Sequence, residues 1–155
     1  MRKLIAAALL LAPLASRADQ KLRKEELPPA VLASVARKYP SARQTGFEKE
    51  MAGDQPRFEV RLEQGSEVIE VLLAADGTIV SEETEVAEAR LPAAVREGLH
   101  AGRYASWSVE RSERIVPARD PAQATYELVL HRGTRRREVV FDGSGKLLKD
   151  EPFRD

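Results

Sequence analysis

The chain has 155 residues, 25 of them basic and 25 acidic, and no cysteine. That length holds one domain or two very small ones. The even charge excludes the basic footprint of a nucleic-acid binder, and the missing thiols exclude disulfides and cysteine-ligated metals. An apolar fraction of 43%, a charged fraction of 32% and a mean hydropathy of −0.40 suit a globular chain with a heavily charged surface.

Arg2 and Lys3 give a positive start, Leu4 to Leu14 is apolar apart from Pro13, and Ser16-Arg17-Ala18 puts small residues where a signal peptidase reads. This pattern predicts a secretory signal peptide over 1–18, cleaved after Ala18, and a periplasmic or secreted product. The apolar run is too short to span a bilayer, so no transmembrane segment is expected after cleavage. Loss of Arg2, Lys3 and Arg17 leaves 22 basic and 25 acidic residues.

Beyond the leader the chain writes the same pattern twice. Leu27-Pro-Pro-Ala-Val31 returns as Leu91-Pro-Ala-Ala-Val95, FEVRLEQG (58–65) as YELVLHRG (126–133), and EVLLAADG (70–77) as EVVFDGSG (138–145). Leu27, Val31 and Val35 make one helical stripe ending before Pro40; Leu91, Val95 and Leu99 make a second, fading at Gly102. Phe58, Val60 and Leu62 alternate with charges, as Tyr126, Leu128 and Leu130 alternate with polar or smaller residues, the period of half-buried strands. Asp76-Gly77 and Gly143–Gly145 are turn signals before last strands near 78–83 and 146–150. The expectation is an α+β fold of two tandem α-β-β-β-β repeats, 19–86 and 87–155, in one globular domain. They share one antiparallel sheet, with both helices on one face and the other face open.

If Gln64-Gly65 and Arg132-Gly133 are two-residue turns, Val60 faces Ile69, Tyr126 faces Val139, and Leu128 faces Arg137. The same register sets Glu59 opposite Glu70 and Glu127 opposite Glu138 on the open face, an unfavourable like-charge arrangement. Three readings account for it: compensation by Arg57, Arg61 and Arg136, docking of a partner's Arg or Lys, or a cation site. Val68, Leu72, Val129 and Val140, with Thr125 and His131, fill out that face and could meet another protein.

Catalytic patterns are missing. His100 and His131 belong to no metal or triad motif, and Asp142-Gly-Ser-Gly145 reads as a turn rather than a nucleophile elbow. No catalytic residue, metal or cofactor is expected. Charge is uneven: residues 19–89 carry net −6 and 90–155 net +3. The acidic run Glu82, Glu83, Glu85, Glu88 is read as the link between repeats. The basic cluster Arg132, Arg135, Arg136, Arg137 is read either as attraction that orders the halves and guards an edge, or as a docking patch for an acidic partner or lipid headgroup.

The Leu-Pro-x-Ala-Val motifs at 27–31 and 91–95, Tyr39-Pro40, and the hairpins at 58–77 and 126–145 resemble the PepSY-like family related to beta-lactamase-inhibitor proteins. The resemblance implies exported bacterial proteins with a tandem helix-plus-four-strand unit and a non-enzymatic role, the inhibitors gripping target enzymes with the open sheet face. Such grips lean on aromatic anchors; with Phe58, Tyr126 and Phe141 assigned to the core, Trp107 and Tyr104 remain for that purpose. The expected function is therefore binding, and inhibition where the target is an enzyme of the envelope. The partner surface is Glu59, Glu70, Leu72, Glu127, Val129, Glu138, Val140 and Trp107. The alternatives are a small-ligand or cation-binding envelope protein using the paired glutamates, and an inert structural or stress-related envelope component.

Overall fold

The computed structural model describes residues 20–153, so the predicted leader at 1–18 and its cleavage point lie outside the described residues. The described residues form an α+β fold: two α-helices and nine strands in one open, wholly antiparallel sheet, the strands lying in chain order. After the short β1 (Gln20–Lys21) come α1 (Pro29–Lys38), β2 (Arg43–Ala52), β3 (Gln55–Gln64), β4 (Glu67–Ala74) and β5 (Ile79–Glu85). Then follow α2 (Ala93–His100), β6 (Ser108–Pro117), β7 (Thr125–Arg132), β8 (Arg135–Asp142) and β9 (Leu147–Pro152). Each helix starts after a proline that fits its entry, and α1 closes when the Tyr39 N–H donates to the Val35 carbonyl at 2.8 Å, one residue before Pro40 ends the helical path.

Directly opposed residues of an antiparallel ladder share a face. Phe58, Val60 and Leu62 of β3 meet Leu73, Val71 and Ile69 of β4, and together they bury Leu27, Val31 and Val35 around α1. Leu128 of β7 meets Val139 of β8 and Tyr126 meets Phe141, closing a second core around Leu91, Val95 and Leu99 of α2. Following the ladders from β3 to β8 shows that both cores lie on the same face, as expected. Between them the covered face turns polar, with Glu82 and Thr84 of β5 opposite Val116 and Arg114 of β6. Glu82 accepts hydrogen bonds from Lys38 and the Tyr39 hydroxyl of the first helical segment.

The registers differ from those expected. The turns are Gly65-Ser66 and Gly133-Thr134, with Gln64 opposite Glu67 and Arg132 opposite Arg135. Gly65 and Gly133 have φ of 64° and 61°, so each glycine takes the first central position, where the primed hairpin turns need a positive φ. Pairings therefore slide by two residues: Val60 faces Val71, Leu128 faces Val139, and Arg137 faces Leu130 instead of Leu128. Arg137 donates to the Asp150 carboxylate, which removes the mismatch of an arginine among apolar neighbours. The last strands begin at Ile79 and Leu147, one residue later than predicted and running further.

The turns before those strands fix the helices. An added Cβ at Gly77 would lie 2.5 Å from the Ala30 carbonyl oxygen, and one at Gly145 would lie 2.1 Å from that of Ala94. Both glycines have φ near +80°, so backbone shape and close approach each demand glycine.

Candidate functional site

The uncovered face carries a band of glutamates running across eight strands. The ladders align Glu48 with Glu59, Glu70 with Glu83, Glu85 with Glu113, Glu113 with Glu127, and Glu138 with Glu151. The expected pairs, Glu59 with Glu70 and Glu127 with Glu138, are not directly opposed: Glu59 faces Leu72, Glu70 faces Arg61, Glu127 faces Val140 and Glu138 faces Val129. The two-residue slide keeps every side chain on its face, so these glutamates become diagonal neighbours while new like-charged pairs arise across β2, β5, β6 and β9.

Some of the band is compensated. Arg61 pairs with Glu70, Arg111 approaches Glu113 at 3.6 Å, and Lys149 binds Glu138 at 2.6 Å. Arg136 holds Glu110 at 2.6 Å, where a bulge in β6 turns Glu110 out of the ladder. Glu59, Glu83 and Glu127 take part in no ion pair or side-chain hydrogen bond among the described residues. They are half-buried in the middle of the sheet. Burial first, then the fields of Glu70, Glu83, Glu48 and Glu50, push the Glu59 carboxyl up to about 8. Burial and Glu113, Glu127, Glu70 and Glu50 push Glu83 up to about 7; burial, Glu138 and Glu113 do the same for Glu127, against a weaker pull from Lys149 and Arg111. Glu113 is also raised, chiefly by burial, with Arg111 and Arg61 opposing. A small recess between Arg61, Val68, Glu70, Glu83, Glu85 and Glu113 marks the centre of the band. Among the described residues no group of three or more His, Cys, Asp or Glu side chains is disposed to hold a metal ion.

The remaining predicted positions are redistributed. Leu72 is on the open face and half-buried, but Val129 and Val140 are only 2% and 5% exposed there, covered by the long side chains around them. They are floor rather than contact surface. Tyr104 is buried against Phe141, ring edge to ring face at 6.4 Å, and is no exposed anchor. Trp107 is half-buried under the Arg132 guanidinium, 4.9 Å from the ring centre. The basic cluster is not one patch: Arg137 turns to Asp150 beside the second core, Arg136 lies on the open face over Phe153, Arg132 covers Trp107, and Arg135 is exposed at the turn.

Sequence reasoning missed Glu48, Glu83, Glu85 and Glu113 as members of the band. The sequence places Glu83 at the end of a strand near 78–83, and Glu82, Glu83, Glu85 and Glu88 together are read as a link, whereas Glu82, Glu83 and Glu85 all belong to β5. The signal was present as period-2 spacing in Glu48-Lys49-Glu50 and Glu83-Thr84-Glu85.

Geometry of this kind, an open antiparallel sheet with helices on one side and an uncovered charged face on the other, defines a scaffold class. Solved structures of Bacteroides proteins share this fold. A DUF2874 family protein of Bacteroides uniformis matches with TM-score 0.69 at 15% identity, over 81% of this chain and 88% of that one. A BLIP-like protein of Bacteroides fragilis matches with TM-score 0.64 at 20% identity, over 81% and 86%. A Bacteroides eggerthii protein described as periplasmic matches with TM-score 0.71 at 16% identity, over 81% and 88%. The likeness to BLIP-like proteins expected from the sequence motifs is thus present in the fold. No protein-family model matches the chain, and no curated protein matches it in sequence. No helix of the described residues is long and apolar enough to cross a membrane.

Proposed function

We propose that the chain is a periplasmic binding module without a reaction of its own, which holds another protein against the open sheet face. The observation that carries this reading is that Glu59, Glu83 and Glu127, half-buried in the middle of the sheet, take part in no ion pair among the described residues, while Glu70, Glu113 and Glu138 beside them do. Uncompensated charge on a broad face costs the free protein stability and is relieved by a partner bringing lysine or arginine. The BLIP-like and periplasmic descriptions of proteins with this fold agree with the reading, as does the predicted leader at 1–18. We include in the proposal that 19–86 and 87–155 are tandem copies. Supporting it, each half has one helix before four strands, and bulges fall at Thr45 and Glu110 and at Val80 and Leu148.

The test is capture from periplasmic extract with the tagged protein beside a Glu59→Lys/Glu127→Lys variant. That variant removes like-charge repulsion, so it should fold at least as well as the parent. A protein retained by the parent, released by moderate salt and lost from the variant supports the reading. Identical captures from both baits reject it.

A further inference from the structure

Glu59, Glu83 and Glu127 sit on alternate strands β3, β5 and β7, and the groups facing them are mostly acids. Around Glu59 stand Glu48 and Glu50 of β2, Arg57 and Arg61 of its own strand, Glu70 of β4 and Glu83 of β5. Around Glu83 stand Glu70 of β4, Glu85 of its own strand, Glu113 of β6, Glu127 of β7 and Glu50 of β2. Around Glu127 stand Arg111 and Glu113 of β6, His131 of its own strand, Glu138 of β8 and Lys149 of β9. Of the nearby cations, Arg61 pairs with Glu70, Arg111 with Glu113, and Lys149 with Glu138 and Glu151, while Arg57 lies opposite Glu50.

We infer that the open face is a proton-operated switch: in mild acid Glu59, Glu83 and Glu127 of β3, β5 and β7 hold protons and the face carries less negative charge, while above neutrality they ionise and present charge to a basic partner. The inference rests on the open face being the docking surface, and it adds the condition under which that surface is charged. The linkage has a definite sign. A glutamate of the unfolded chain ionises near 4.5, whereas Glu59 keeps its proton to about 8 and Glu83 and Glu127 to about 7. Between those limits the folded chain binds more protons than the unfolded one, so stability falls as pH rises from about 5 to 8.

Urea unfolding at pH 5 and pH 8, on the protein and on a Glu59→Gln/Glu83→Gln/Glu127→Gln variant, reads the switch directly. The parent midpoint should shift to lower urea at pH 8, and the variant should lose most of that shift; equal shifts in both overturn the inference. Carboxyl-carbon NMR of the parent needs no variant: titration of the three carboxyls in the ordinary glutamate range also overturns it. Binding of an octalysine peptide at low salt reads docking separately, and should be at least about tenfold tighter at pH 8 than at pH 5. A variant-sensitive stability shift without peptide binding at either pH supports the switch and rejects the docking of basic segments.

Discussion

On the helix-covered face, Val60, Leu62, Val71, Leu73, Leu128, Leu130 and Val139 are wholly buried in the cores around α1 or α2. On the reverse of the same strands, Glu59, Glu70 and Glu127 lie among other acids, and Glu59 and Glu127 take part in no ion pair among the described residues. One set of backbone hydrogen bonds supports both faces, so the difference arises in the side chains alone. The covered face is selected for packing. The open face carries an electrostatic cost that any of several neutral residues would remove, which is the contrast the proposed docking role explains.

The comparison is broken most severely from the covered side. Leu128→Ala opens a cavity in a fully buried position and should cost about 2–5 kcal/mol by chemical denaturation. Gly145→Ala should follow at about 2 kcal/mol, because its φ of 80° and the adjacent Ala94 carbonyl leave no place for a methyl group. On the open face the sign reverses. Glu59→Gln should stabilise at pH 8 by up to about 1 kcal/mol, since Glu48 directly opposes Glu59, with a smaller gain at pH 5, where the carboxyl already carries its proton. A destabilised Glu59→Gln at pH 8 would remove the contrast between the faces. The smallest effect is expected at Arg132→Ala, about 0.5–1 kcal/mol from the lost ring contact. Trp107 is the sole tryptophan, so its emission should shift to the red as the ring meets water.

The helices, the strand faces and the side chosen by both cores were readable from spacing, because Leu27, Val31, Val35 and their counterparts Leu91, Val95 and Leu99 repeat at one helical interval. The hairpin register was not. Sliding the β3–β4 pairing by two residues keeps Phe58, Val60 and Leu62 on the apolar side, so the hydrophobic pattern cannot choose between alternatives, and only the backbone angle at Gly65 does. The exposure of Val129 and Val140 was misjudged for a related reason: alternation gives a face, not what lies over it. The carboxylate band was half legible. Glu59 and Glu127 lie on strands with clear alternation, whereas Glu83 and Glu113 lie on β5 and β6, whose covered sides are themselves polar and so hide the strand period.

That polar seam has a mechanical meaning. The ladder joining β5 to β6 runs from Ser81–Pro117 to Glu85–Glu113, with one apolar cluster on each flank. Two apolar cores separated by a polar seam are expected to open as two foldons, each cooperative within itself. Amide exchange should then report two opening energies, and a chain pulled from its ends should yield first along the line between Glu82 and Val116.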